Sequence, residues 1–143
     1  MRISEVLKGK PSEDVITIGP DATVRQLVSL LAEHNVGALI VSGDGSTVEG
    51  IVSERDVVRR LLSENALLDG PVHAIMTASV RTCEPGASLD DLMVMMTEHR
   101  IRHVPVVADG RLTGIISIGD VVKNRMAELE FERDQLDSYV HRT

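Results

Sequence analysis

Two serine–aspartate pairs with the same spacing are the first candidates for chemistry in this chain. Ser53 and Asp56 stand three residues apart, and Ser117 and Asp120 repeat the pair further along the chain. A serine at a helix N-cap leaves backbone N–H groups and the positive end of the helix dipole facing outward, which suits a phosphate. An aspartate in the first turn offers a carboxylate that can accept hydrogen bonds from both hydroxyls of a ribose. Each pair therefore indicates either nucleotide binding or a plain Ser-x-x-Asp helix cap.

The two pairs lie in nearly identical strings, and the similarity extends well beyond them. The strings read Gly-Ile-Val-Ser-Glu-Arg-Asp at 50–56 and Gly-Ile-Ile-Ser-Ile-Gly-Asp at 114–120. Residues 15–45 match residues 80–110 when the sequence is shifted by 65 positions. Both stretches carry an apolar helical stripe of equal spacing, preceded by capping signals at Thr23 and Ser88. The chain is thus an internal duplication.

The duplicated elements predict where each pair is held. After each helical stripe comes a short apolar run (38–41 or 104–107), a turn with Asp-Gly, and a second run (48–52 or 112–116), which predicts a β-hairpin. Each unit reads strand, helix, strand, strand, helix, with Ser53 and Ser117 starting the last helix. Earlier helical turns are predicted at 3–7 and 72–76, where Pro71 sets off the second.

A long amphipathic helix is predicted beyond the second unit. Val122, Met126, Leu129, Leu136 and Val140 keep a helical apolar stripe through a segment rich in Glu and Arg. Such a helix has too little to bury alone, so we expect it to pack on a partner chain or a second copy of the molecule. The alternative is an exposed tail that frays.

Composition excludes several classes of protein. A chain of 143 residues with 43% hydrophobic content and 26% charged residues fits about one globular domain. Phe131 and Tyr139 are its only aromatic residues and its net charge is −7, so nucleic-acid binding is not expected. The single cysteine, Cys83, cannot form an intramolecular disulfide and is interpreted as buried apolar filler. No signal peptide or long apolar run is apparent, so a soluble, cytoplasmic protein without membrane contact is expected.

The two strings, together with Ile75-Met76-Thr77 at the opening of the second unit, resemble a tandem pair of CBS domains, the module named for cystathionine β-synthase and called a Bateman module. The resemblance covers residues 1 to about 124. It implies an α/β (α+β) fold in which two pseudo-twofold-related β-α-β-β-α units pack their small sheets together, followed here by the long C-terminal helix. On this basis we expect one CBS domain at 1–66, a second at 67–124, and the C-terminal amphipathic helix at 125–143.

The resemblance also implies a function. Members of this family bind adenine-containing ligands such as AMP, ADP, ATP, S-adenosylmethionine or NAD in clefts between the repeats, and stand-alone members often form disc-like homodimers. We therefore expect a regulatory ligand sensor that acts in trans on a partner not yet known, with no catalytic cofactor. An interaction scaffold, dimeric and non-catalytic with vestigial clefts, is the alternative. An enzyme is least favoured, because the sequence contains no evident nucleophile–base pair, paired catalytic carboxylates or metal cluster.

Candidate ligand residues follow from the family architecture, in which the Ser-x-x-Asp of one repeat faces the first strand and the post-helix segment of the other. For cleft one the implied residues are Ile51, Ser53, Arg55, Asp56, Val80, Arg81, Arg102 and His103. For cleft two they are Val15, Ile16, Gly37, Ala38, Ile115, Ser117 and Asp120. The three arginines make cleft one the expected site for phosphorylated ligands, unless they are simply solvated or paired with Glu54 and Glu98.

No metal site is predicted, although two histidines are four residues apart. His99 falls at the end of a predicted helix, whereas Pro105 and the apolar run after His103 place His103 at the start of a strand. One helical face therefore cannot present both as metal ligands.

Overall fold

The computed structural model describes residues 1–11 and 15–141. Residues 12–14 and 142–143, which fall in the predicted segments 1–66 and 125–143, lie outside the described residues. The elements in chain order are α1 (Ile3–Lys8), β1 (Thr17–Ile18), α2 (Val24–His34), β2 (Ala38–Val41), β3 (Gly50–Ser53), α3 (Glu54–Arg60), two short 3-10 turns (Leu67–Asp69 and Val72–Ala74), α4 (Leu89–His99), β4 (His103–Ala108), β5 (Arg111–Ser117) and α5 (Ile118–Val140).

Two small sheets carry the two repeats. In the first, β1 runs parallel to β2, and β2 pairs antiparallel with β3. In the second, β4 and β5 form the predicted hairpin, closed by Asp109 and Gly110 at positive φ values of 52° and 77°. That pair of residues suits a two-residue turn whose twist matches the strands. The first hairpin has a longer loop, because β3 begins at Gly50 and not at Val48 as predicted.

The strand predicted to open the second repeat is reduced to a single bridge. Cys83 pairs with Val106, with Cys83 N–H donating to the Pro105 carbonyl (3.0 Å) and Val107 N–H donating to the Cys83 carbonyl (2.9 Å). Pro105 stands where the first repeat has Ile40 and has no N–H, so the ladder cannot extend toward Arg81. Cys83 is buried as predicted, and burial raises the pKa of its thiol to about 11.

Each repeat has its own apolar core, but the two repeats exchange their leading helical turns. The first core, around Leu27 and Val52, includes Val72 and Ile75 from the segment between the repeats. The second core, around Leu92 and Ile116, includes Ile3 and Val6 of α1. The predicted helical turns are therefore present, and α1 lies against the second repeat although the sequence places it before the first.

This exchange explains why both strings begin with glycine. A Cβ at Gly50 would lie 2.6 Å from Met76 Sδ and 2.9 Å from the carbonyl oxygen of Thr77. A Cβ at Gly114 would lie 2.6 Å from Leu7 Cδ2. Each glycine thus lets an exchanged helical turn lie directly on a strand, because any larger residue would meet its side chain.

The second repeat ends in one continuous helix of 23 residues, so the predicted last helix and the predicted tail are a single element, α5. Along it, Met126, Leu129, Leu136 and Val140 are about half or more exposed. Within residues 1–11 and 15–141, no helix combines the length and apolar character that a membrane span requires.

Candidate functional site: a cavity between the repeats

A cavity of about 260 Å³ lies between the two repeats. Its wall combines the end of β3 and the start of α3 with the segment after α2, Thr77, and the segment that joins α4 to β4. The lining residues are Gly37, Ala38, Ile51, Ser53, Glu54, Arg55, Asp56, Arg59, Thr77, Arg100, Ile101, Arg102 and His103. The volume is near the lower end of the range for small-molecule pockets, about 300 Å³.

Asp56 caps α3 and lines the cavity at the same time. Ser53 N–H and Ser53 Oγ–H donate to Asp56 Oδ2 at 2.8 and 3.1 Å, and Asp56 N–H donates back to Ser53 Oγ at 3.3 Å. This is a reciprocal capping box. Asp56 Oδ1 takes no part in these bonds. The cap and the ligand-binding role that the sequence left as alternatives are therefore compatible in one residue.

Four arginines give the cavity a positive character that the whole chain lacks. Arg55 and Arg59 lie one helical turn apart on α3, and Arg100 and Arg102 flank Ile101 after α4, against the carboxylates of Glu54 and Asp56. In the described part of the chain, no ion pair within 4.0 Å joins these arginines to Glu54 or Glu98. Guanidinium groups in this setting are suited to a phosphate, which they bind through paired hydrogen bonds.

Arg100 adopts an unusual backbone conformation at this site. It caps the C-terminus of α4 in the left-handed region, with φ of 53°, where asparagine and glycine are the favoured residues. Asn35 holds the same place and conformation at the end of α2, with φ of 52°. The second repeat thus places an arginine at the cavity in a backbone conformation that is strained for this residue type.

His103 sits where charges from both repeats meet. Burial lowers the pKa of its imidazole, the charges of Asp120 and Glu54 oppose that shift, and those of Lys10 and Arg102 add to it. The net result is a pKa below the usual 6.5, so the ring is neutral at pH 7. Gly37 lies beside it, and a Cβ there would be in ordinary contact with His103 Cε1 and Glu54 Oε1, each at 3.7 Å.

Most residues predicted for cleft one line this cavity, and two do not. Ile51, Ser53, Arg55, Asp56, Arg102 and His103 are in its wall, whereas Val80 and Arg81 are not among the lining residues. Thr77 lines it in their place, because Thr77 and Ile51 exchange main-chain hydrogen bonds of 2.9 and 3.0 Å.

Several lining residues were absent from the sequence-based prediction. Arg59 could have been found from its position one turn after Arg55 on a predicted helix. Arg100 and Ile101 directly precede Arg102 in the same post-helix segment. No sequence signal pointed to the main-chain pairing of Thr77, because it joins residues far apart in the chain.

The residues predicted for cleft two separate into two groups. Gly37 and Ala38 line the cavity just described, whereas Val15, Ile16, Ile115, Ser117 and Asp120 lie outside its wall. Ser117 and Asp120 form the second capping box, with Ser117 N–H donating to Asp120 Oδ2 at 2.9 Å and Asp120 N–H to Ser117 Oγ at 3.2 Å.

One basic side chain reaches two of the residues expected for cleft two. Lys10 Nζ donates to Asp120 Oδ2 at 3.0 Å and to the Ile115 carbonyl at 2.9 Å. Burial acts to raise the pKa of Asp120, but the hydrogen bonds from Ser117 and Lys10 and the charge of Lys10 outweigh it, so the pKa lies below its usual value. Lys10 falls outside the duplicated units, so comparison of the repeats could not reveal it.

The two histidines that are four residues apart lie on different elements. Across the described ranges, no group of three or more His, Cys, Asp or Glu side chains is placed to hold an ion. His99 ends α4 and His103 opens β4.

Comparison with known proteins identifies the module that builds this cavity. The family model for the CBS domain matches residues 3–63 and 72–127. The chain belongs to the CBS-domain family. The relatives of this CBS protein include the CBS domain-containing protein YhcV of Bacillus subtilis, which is 31% identical over 121 residues covering 85% of this chain and 86% of YhcV.

Solved structures share the CBS-pair fold described above. A protein with CBS domains from Burkholderia ambifaria is 43% identical, with a TM-score of 0.83 over 89% of this chain and 95% of that one. A CBS domain protein from Pyrobaculum aerophilum, solved in complex with AMP, is 31% identical, with a TM-score of 0.77 over 93% of this chain and 99% of that one. The fold that the family resemblance implied is confirmed, and the Pyrobaculum aerophilum relative with this architecture holds AMP.

Proposed function

We propose that this CBS pair is a regulatory sensor that binds an adenine nucleotide (AMP, ADP, ATP or NAD) in the cavity between its repeats and acts in trans on a separate partner. The carrying observation is the cavity itself, where Asp56 of one repeat faces Arg100, Arg102 and His103 of the other. The AMP complex of the Pyrobaculum aerophilum relative supports the ligand class. A cytoplasmic location stays a prediction from the sequence.

The geometry suggests how each part of a nucleotide would bind. The carboxylate of Asp56 would accept hydrogen bonds from the ribose hydroxyls, while the arginines would hold the phosphate. The adenine ring would lie between aliphatic side chains such as Ile51 and Ile101, since no Phe, Tyr or Trp is among the lining residues. A cavity of about 260 Å³ favours a mononucleotide over a dinucleotide such as NAD.

Titration with AMP, ATP and NAD tests this proposal, with CMP as a control that shares ribose and phosphate but lacks adenine. A ligand at one hundred times its dissociation constant should stabilise the fold by about 2.7 kcal/mol, which thermal unfolding measures easily. We expect AMP to give the largest shift and CMP the smallest. If none of the adenine nucleotides shifts the thermal unfolding transition or gives heat of binding, the sensor proposal is wrong and the interaction scaffold remains as the alternative function.

We further propose that the protein is a homodimer, whether it is a sensor or a scaffold with vestigial clefts. Val122, Met126, Leu129, Leu136 and Val140 are each 48–66% exposed along one stripe of α5. Their alternating spacing of three and four residues, with Arg133 in the remaining stripe position, is that of a two-helix seam. A groove between α2 and α3, lined by Val28, Val36 and Val58 among others, offers a second apolar surface.

The mass in solution tests the dimer. A chain that ends after Lys123 removes most of the exposed stripe, and we expect its mass to fall from that of a dimer toward that of a monomer. A full-length chain that is already monomeric, or a truncated chain of unchanged assembly state, would contradict the role of α5. Replacing the exposed Glu130 by Gln gives a control on the same helix that leaves the apolar stripe intact.

A further inference from the structure

The two capping aspartates differ in what reaches their carboxylates. Lys10 Nζ bridges Asp120 Oδ2 at 3.0 Å and the Ile115 carbonyl at 2.9 Å, and the two side chains of the ion pair are only 24% and 22% exposed. Both acceptors belong to residues expected to form cleft two. In the described part of the chain, Asp56 has no ion pair with a lysine.

The exchange of helical turns explains why only one aspartate receives a lysine. α1 lies against the second repeat, with Leu7 on Gly114, and the chain turns at Gly9 so that Lys10 runs beside β5. In the other repeat, Met76 lies on Gly50 and the next residue, Thr77, pairs with Ile51 through its main chain. The main-chain pairing of Thr77 places no side-chain charge on Asp56, whereas the ammonium of Lys10 lies 3.0 Å from Asp120 Oδ2.

We propose that Lys10 occupies cleft two in the ligand-free protein. Its ammonium group binds the acceptors that a nucleotide would use there, so Lys10 must move away before cleft two can bind a nucleotide. The inference rests on the proposed function, because it treats Asp120 as the counterpart of the ribose-binding Asp56. A ribose hydroxyl donates a neutral hydrogen bond, so it competes at a disadvantage with an ammonium that is already bound to the same carboxylate. Cleft two is thereby weaker than cleft one, and its occupancy depends on release of the segment that carries Lys10.

The test isolates cleft two by disabling cleft one. AMP is titrated by calorimetry into the Asp56→Ala chain and into the same chain with Lys10→Met, which removes the charge but keeps most of the apolar stem. Lys8→Met in the same background is the matched control, because Lys8 is an exposed lysine two residues away at the end of α1. If Lys10 blocks cleft two, Lys10→Met should raise the apparent AMP affinity at least about fivefold, and Lys8→Met should leave it unchanged.

Other outcomes overturn the inference. An affinity that is unchanged by Lys10→Met shows that Lys10 does not withhold the site, and a weaker affinity makes Lys10 a ligand contact. Failure of AMP to bind the double variant shows that cleft two accepts no nucleotide even when opened. The proposed function has a separate readout, since it requires the wild-type chain to bind AMP more tightly than the Asp56→Ala chain does.

Two further measurements keep the result decisive. If Asp56→Ala disturbs folding, Arg102→Glu disables cleft one in its place, because it puts a repelling charge where the phosphate is expected and leaves the cap of α3 intact. The pKa of Asp120, followed by carboxyl NMR without any ligand, should rise when Lys10 becomes Met. A pKa that does not move would show that the lysine is absent from Asp120 in solution and would overturn the inference by itself.

Discussion

The two Ser-x-x-Asp motifs are the same locally and differ in their surroundings. The bond from the serine N–H to the aspartate Oδ2 measures 2.8 Å in the first repeat and 2.9 Å in the second, and the reciprocal bond measures 3.3 and 3.2 Å. Yet Asp56 faces a cavity with four arginines, whereas Asp120 is bonded to Lys10. The repeated motif therefore determines the geometry at the start of the helix, whereas other segments determine what the aspartate carboxylate contacts.

The deciding segments are those that the duplication did not copy faithfully. After α4 the chain reads Arg-Ile-Arg-His at 100–103, and after α2 the matching positions read Asn-Val-Gly-Ala at 35–38. Both post-helix segments reach the same cavity, so all of their basic residues serve one motif. The segments that precede the two repeats make the second difference. The segment before the second repeat ends in the main-chain pairing of Thr77 with Ile51, whereas the segment before the first repeat ends in Lys10, which binds Asp120.

The largest expected effect comes from removing each carboxylate in turn. Asp56→Ala should weaken AMP binding by about 10- to 100-fold, since hydrogen bonds to a charged group are each worth about 1.5–3 kcal/mol. Asp120→Ala loses the same capping bonds and should change affinity at the cavity less than about twofold. Calorimetry gives the affinities, and urea unfolding checks that both variants lose similar stability through their caps. Equal losses of affinity would remove the functional difference between the motifs.

The paired glycines sharpen the comparison through stability. Gly50→Ala should destabilise by about 1–3 kcal/mol, because its Cβ would meet the Thr77 carbonyl at 2.9 Å as well as Met76 Sδ. Gly114→Ala should cost less, since the closest atoms belong to the end of the Leu7 side chain, which can change rotamer. Denaturant midpoints of the two variants measure this order. A larger loss at Gly114 would mean that Leu7 is held more rigidly than a main-chain carbonyl.

Arg100 offers a change with opposite effects on stability and binding. Arg100→Asn should stabilise the chain by about 0.5–1 kcal/mol, because asparagine tolerates the left-handed conformation that its counterpart Asn35 already adopts. The same change removes a cation from the cavity and should weaken AMP binding several-fold. Thermal unfolding and calorimetry separate the two effects. A variant that gains stability without losing affinity would show that Arg100 does not contact the phosphate.

Local patterns were sufficient to predict much of this structure. The caps at Thr23 and Ser53 and the turn at Asp109-Gly110 depend on residues close in sequence, so composition and spacing identify them. The duplication predicted the two units, and the family resemblance predicted that Asp56 and His103 would meet across them. Those positions follow from the copied elements.

Features that depend on contacts between distant segments were harder to predict. The strand expected before Cys83 shrank to a bridge because Pro105, over twenty residues away, lacks the N–H that would extend the ladder. Val80 and Arg81 accordingly stand outside the cavity, and Thr77 enters it. Lys10 reaches Asp120 from 110 positions away. Nothing in either local sequence indicates that contact, because it results from the exchange of helical turns.

The smallest expected effect is the pH dependence of the Lys10–Asp120 pair. The pKa of Asp120 in the folded chain lies below the ordinary value of 3.8, so the unfolded chain binds its proton at a higher pH than the folded chain does. The pair therefore stabilises the fold fully above about pH 4 and loses its contribution as the pH falls through the folded pKa.

At pH 7 the wild-type chain should be more stable than the Lys10→Met chain by at most about 1 kcal/mol, because the pair is partly exposed and screened by salt. The difference should shrink as the pH falls below about 4, which urea unfolding of both chains at several pH values measures. The charges of Lys10, Arg102, Glu54 and Asp120 all act on the imidazole of His103. Removing Lys10 should therefore also raise the pKa of His103, which NMR of the same samples measures. A stability difference that stays constant down to pH 2 would locate the effect of Lys10 in the packing of its stem. The apolar stem of Lys10 would then block access to Asp120 by packing, and the charge of Lys10 would no longer distinguish the second motif from the first.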